Sequence, residues 1–249
     1  MPEGDTAMQK RLLRMVPVMC MILFVSGVSI ANAGVLPDRA TLESILGANA
    51  VTEDFETLAV PSNTAYGIAN VDTLDSSTIL TINTMLFGPG LVIPGVSFTE
   101  LDNLNWNGEN IWGQTSRAIL GFNYDGIPGH SIVIDFHNPT PACGLDLSIL
   151  SVTPFHPDVF NVAVYGADDS SLLYTSGDIN IDFFTRIFWG YTDDAGIGKI
   201  AVSSTTQDWS AIVDNVTFDG SAVPEPVSSA LFVFGAGFLV SYYRKKRSK

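Results

Sequence analysis

Three histidines are the first place to look for chemistry in this chain. His130 and His137 stand seven positions apart. In one strand an odd spacing sets them on opposite faces, so they cannot chelate a metal together. His156 lies between Pro154 and Pro157, in a turn. Residues 34–222 contain no H-E-x-x-H, G-x-S-x-G or C-x-x-C, and no G-x-G-x-x-G opens a helix there. Glycoside hydrolysis needs two carboxylates facing each other across a cleft. The sequence offers many carboxylates and singles out no pair, so the reading is non-enzymatic, with a polysaccharide hydrolase as the most distant alternative.

Metal and ligand chemistry leave more to read. Asn103-Leu104-Asn105-Trp106-Asn107-Gly108 carries the alternating oxygen donors and the glycine of a calcium loop. It opens on Asn and has Gln114 where a bidentate Glu is needed, so it reads as an Asn-rich turn. Strand parity gives a second candidate. Asp214 falls on one face with Ile212, Val216 and Phe218, and Glu53 on one face with Val51 and Phe55. A carboxylate on an apolar face needs a cation or several donors. A calcium ion held by Glu53 and Asp214 is one answer. Pairing with Arg117 or Arg186, or exposure through a bulge, is the other. Trp106 and Trp112 sit in the Asn-rich segment and are expected to be exposed, as rings that stack on sugars. Trp189 and Trp209 lie in or beside strands and are expected in the core. Cys143 falls in an alternating apolar row and reads as a buried small residue rather than a nucleophile.

The elements that must position these residues are mostly strands. Pro37 to Leu46 is the one helical stretch: Pro37-Asp38 starts it, Leu42, Ile45 and Leu46 share a face, and Gly47 ends it. Ser131–His137 puts Ile132, Ile134 and Phe136 on one face. Cys143–Ile149 does the same for Cys143, Leu145, Leu147 and Ile149. Phe160, Val162 and Val164 alternate, and the turn from Tyr165 to Ser170 leads to Leu172-Leu173-Tyr174. Lys199–Val202 and Ala211–Phe218 are further runs. Roughly eight to ten short strands with turns between them predict an antiparallel β-sandwich.

Charge narrows the partners. Between residues 34 and 222 the basic residues are Arg39, Arg117, Arg186 and Lys199, against 23 acidic ones, a net charge of −19. Phosphate backbones need a basic footprint, so nucleic acid is not the expected partner. With Cys143 the only cysteine in that region, no disulfide closes within it.

The two ends read as targeting segments. Lys10, Arg11 and Arg14 precede the apolar stretch Met15–Ile30, and Ala31-Asn32-Ala33 is an A-x-A cleavage site, so 1–33 reads as a signal peptide for signal peptidase. At the other end Pro224-Glu225-Pro226 precedes Val227–Tyr243, 17 residues without a charge, and then Arg244-Lys245-Lys246-Arg247. As a helix that run spans roughly 25 Å at ~1.5 Å per residue, enough to cross a bilayer when Tyr242, Tyr243 and the basic side chains anchor its end. The basic cluster marks the cytoplasmic side. This three-part tail, residues 223–249, resembles that of the PEP-CTERM family. The resemblance implies an exosortase substrate: exported, held in the inner membrane by 227–243, processed near the Pro-Glu-Pro, then passed to the cell surface or extracellular matrix of a Gram-negative, exopolysaccharide-producing bacterium.

The exported region, 34–222, resembles the carbohydrate-binding-like jelly-roll domains found before such tails. The segments that carry this are Glu53-Asp54-Phe55-Glu56, Val164-Tyr165-Gly166-Ala167-Asp168, Gly196-Ile197-Gly198-Lys199-Ile200 and Ala211–Phe218. The resemblance implies a lectin-like sandwich, and a structural calcium joining its first and last strands. The expectation is therefore a non-enzymatic surface or matrix protein associated with exopolysaccharide. The alternative is a glycan-binding module that retains the protein in that polysaccharide.

Overall fold

The computed structural model describes residues 33–62, 64–67, 73–82, 85–100, 104–109, 116–121, 131–150, 158–182, 185–204 and 210–222. Ala31, the Pro224-Glu225-Pro226 motif, the uncharged run, the Arg244–Arg247 cluster, Trp112, Trp209, His130 and His156 lie outside them. In chain order the elements are β1 Ala33–Val35, α1 Arg39–Leu46, β2 Ala50–Glu53, β3 Ala65–Gly67, β4 Leu80–Ile82, β5 Met85–Phe87, β6 Val96–Thr99, β7 Leu104–Asn107, β8 Ala118–Gly121, β9 Ser131–Leu150, β10 Asp158–Gly166, β11 Leu172–Thr175, β12 Ile179–Ile181, β13 Ile187–Ser204 and β14 Ser210–Asp219.

Helix α1 forms where the sequence expects it. Asp38 caps it by accepting the Thr41 amide at 2.7 Å, and Gly47 ends it at φ 59°, a conformation that favours glycine. Its Leu42 and Leu46 pack with Leu36 and Ala142 in a small cluster of their own. Gly144 makes room for this. A Cβ there would lie 2.7 Å from Leu42 Cδ2 and from the Phe188 ring.

Twelve strands are joined by antiparallel hydrogen bonding, and two long strands fold that path into a sandwich. The first half of β9 pairs with the last half of β13 (Ile134 opposite Ile200), and its second half pairs with the start of β13 (Leu145 opposite Trp189). Between these halves the register breaks, at Thr192–Ile197 and Ile197–Lys199. Pro139 and Pro141 lie in the facing segment; having no N–H to donate, they are tolerated at such irregular positions. The runs 131–137 and 143–149, expected as two strands, are continuous. They are one strand that turns a corner.

The first half of β9 and the last half of β13 belong to an open sheet ordered β6, β9, β13, β10 and β11, with β12 also on β10. The second half of β9 and the first half of β13 belong to a helix-bearing sheet ordered β1, β13, β9, β14, β8, β7 and β3, with β2 also on β14. The result is an all-β, jelly-roll-like sandwich. The described strands exceed the predicted eight to ten because several have only three or four residues.

The two sheets share one core in which Ile132, Ile134, Val162, Val164, Ile200 and Val202 of the open sheet meet Cys143, Leu145, Leu147, Val213 and Val216 of the other. Phe136 and Phe218 meet across it at 5.4 Å, as do Tyr174 and Tyr191 at 5.1 Å. Cys143 is fully buried, which pushes its thiol above the usual range. Trp189 is in this core, as expected.

Candidate functional site

The sequence-predicted residues lead first to the helix-bearing sheet, where their parity is not what a regular strand gives. Asn215 adopts φ 49°, and the register of β14 on β9 shifts between Asp214 and Thr217. This bulge reverses the alternation, because an extra residue flips every later side chain to the other face. Val216 and Phe218 point into the core. Asp214 points out of the sandwich, with Asp146 directly opposite it on β9. Glu53 pairs with Val216 and shares its inward face. The two predicted calcium ligands therefore lie on opposite faces of one sheet.

Each carboxylate is answered by protein donors. Glu53 accepts the Phe55 and Ile93 amides, both at 2.7 Å. Its carboxyl is raised above the usual range, chiefly by burial, against the pull of those amides. Asp214 pairs with Arg186 and accepts from Ser116 Oγ at 2.5 Å and the Asn215 amide at 2.6 Å. Asp146 is bound by Arg39 at 2.6 Å and by the Asn215 side-chain amide at 2.8 Å. Two like charges opposite one another would repel, and the two arginines offset that. Arg39 also reaches Thr217 Oγ1 at 2.8 Å and stacks over Phe188, tying α1 to the sheet. This donor set does not fit a calcium ion shared by Glu53 and Asp214. Among the described residues no group of three His, Cys, Asp or Glu is placed to hold a metal. Asp146 and Asp214 stand opposite one another on neighbouring strands, and both side chains spend their oxygens on protein donors.

Trp106 corrects a second expectation. It is fully buried, its Nε1–H donates to the Phe55 carbonyl at 2.8 Å, and it meets the Phe55 ring edge-on at 5.6 Å. It offers no platform to a sugar. The segment read as an Asn-rich turn contains strand β7, in which Leu104 and Trp106 alternate inward.

The outer face of the open sheet is a different surface. Register aligns Thr99, Val133, Ala201, Ala163 and Thr175 in one row across five strands. At ~4.8 Å per strand that row is about 19 Å long. Its side chains are small, and all are partly or fully exposed. On one side runs the row Asp135, Lys199 and Tyr165. On the other, Ser203 faces Asn161, and Thr175 Oγ1 donates to Asn161 Oδ1 at 2.8 Å. The first of these rows is a fixed wall. The Lys199 ammonium sits 4.6 Å over the Tyr165 ring and donates to the Asp169 carbonyl at 2.5 Å. Partial burial raises the Asp135 carboxyl, and nearby Lys199 opposes that rise. The face is thus a shallow trough, with a methyl-rich floor and hydroxyl, amide and charged groups on its sides. Only Val164–Asp168 and Gly196–Ile200 of the sequence motifs border it.

No family pattern and no curated protein matches this chain. Among solved structures, the CBM22-1–GH10 modules of Clostridium thermocellum xylanase 10B with xylohexaose are 11% identical, over 68% of this chain and 28% of that one, with a TM-score of 0.34. This chain thus spans little more than a quarter of that protein. A family 29 carbohydrate-binding module is 8% identical over 72% of this chain and 100% of its own, with a TM-score of 0.34. The K3 adhesin domain of Lys-gingipain from Porphyromonas gingivalis is 13% identical over 68% and 97%, with a TM-score of 0.35. Likenesses of this size carry no inference about the ligand of this chain.

Proposed function

We propose that this protein is an exported, non-enzymatic glycan-binding module that holds its carrier in a surface or matrix polysaccharide. The observation that carries this reading is the trough. Small side chains let a chain lie close to the sheet, and Asn161, Ser203, Thr175 and Asp135 offer donors and acceptors to sugar hydroxyls at its edges. Filling the floor tests it. Ala201→Phe is expected to cut retention on a polysaccharide gel at least tenfold with an unchanged melting temperature. Equal retention by that variant would move the site elsewhere.

The same proposal assigns delivery to the ends. The tail, Pro224-Glu225-Pro226, the span 227–243 and Arg244–Arg247, supports recognition by an exosortase, after signal peptidase has cut beside Ala33. The span and basic cluster suffice for anchoring, whereas the tripeptide carries recognition. Replacing Pro224, Glu225 and Pro226 by alanine should leave the protein exported but unprocessed in the inner membrane. Normal surface delivery of that variant, seen by cell fractionation, would refute the sorting role.

A further inference from the structure

We infer that the trough takes an uncharged polysaccharide; this rests on the glycan-binding reading and names its ligand class. The argument is one of charge and of what each charge already does. Lys199 is the one cation in the wall, and its ammonium is held by the Asp169 carbonyl and the Tyr165 ring, beside Asp135. These contacts within the protein leave it less to offer a uronate, sulfate or phosphate. The turn at the trough's end adds Asp168 and Asp169, both exposed. Asp168 accepts from the Ser170 and Ser171 amides and from Ser171 Oγ, donors that favour its ionised form. Around this face the region 34–222 carries a net charge of −19, and a field of that sign repels polyanions over a Debye length.

Attraction of a polycation is the competing case. The negative field attracts such a polymer, but the side chains it would meet along the floor are uncharged, and on the wall Asp135 lies beside Lys199. The Val133, Ala201 and Ala163 side chains suit the C–H faces of sugar rings, and Thr99 and Thr175 stand at the two ends of the row.

The test is affinity electrophoresis of the full chain in a zwitterionic detergent. Gels contain xylan or mannan (neutral), alginate or polygalacturonate (anionic), or chitosan (cationic), each at about 0.05 M and about 0.5 M salt, where screening differs several-fold. A neutral polymer is expected to retard the protein equally at both salts, and alginate not at all. Ala201→Phe should abolish the retardation; Asn161→Ala, a milder change on the same face, should weaken it. Retardation by alginate or chitosan alone, fading at high salt, would overturn the uncharged ligand and leave glycan binding standing. Neutral retardation that both variants retain would overturn the trough as its site. No retardation by any polymer would remove the glycan reading and this inference with it.

Discussion

Arg186→Met should destabilise the fold by about 3 kcal/mol, a large share of a typical domain's stability. The side chain of Asp214 is only 2% exposed. Removing its guanidinium leaves a desolvated carboxylate with Ser116 and the Asn215 amide, while Asp146 faces it on the next strand. Breaking a buried pair from one side costs several kcal/mol for this reason. Arg186 is 30% exposed, so water re-enters in part and the lower end of that range applies. Urea titration reads the loss as a shift in midpoint at constant slope. Replacing both partners, Arg186→Met with Asp214→Leu, should recover most of it, because an apolar pair leaves no charge unanswered. A loss below about 0.5 kcal/mol for the single variant would mean an ordinary surface pair. The same titration bears on calcium. With Asp214 held by a guanidinium and Glu53 facing the core, chelator should leave the midpoint unmoved. A clear fall would restore a metal at these carboxylates.

Parity carried the sequence reading wherever strands are regular. Ile132, Ile134 and Phe136 face the core together, as do Cys143, Leu145 and Leu147, because a period of two leaves no other choice. It failed at Asn215, where one residue of positive φ turns Asp214 away from Val216 and Phe218. Asn tolerates that conformation, but a lone Asn within an apolar run gives little warning of a bulge. Composition misled at Asn103–Gly108. Three asparagines suggested a turn, while the alternation of Leu104 and Trp106 between them was the sounder signal. The corner in β9 falls between the two expected runs, at Pro139 and Pro141, where the alternation is interrupted. The trough was not legible at all. Thr99, Val133, Ala201, Ala163 and Thr175 are scattered over 103 positions, and only the register of β6, β9, β13, β10 and β11 makes them a row.

Trp106→Ala separates the buried role of this residue from a surface one, with the largest effect of any single truncation considered. The variant should lose about 4 kcal/mol, within the usual range for emptying a buried aromatic site. Three losses coincide. A void opens between the sheets, where Trp106 is fully buried. The edge-on contact with Phe55 disappears, and Phe55 itself meets Phe98 of the open sheet at 5.1 Å. The Phe55 carbonyl loses its donor, which leaves a buried acceptor unanswered. Phe55 adopts φ 55°, costly for a bulky residue and held only by what packs on it. Trp106→Phe keeps most of the ring packing and loses the N–H, so it should cost about 1–3 kcal/mol. Had Trp106 been an exposed sugar platform, alanine would have changed stability by less than about 0.5 kcal/mol and removed binding outright. The two cases part in one experiment: urea midpoint and polysaccharide retention measured together on Trp106→Phe. Weakened stability with retention intact is the expected result. Native stability with retention lost would return Trp106 to the binding surface and dissolve the aromatic bridge between the sheets.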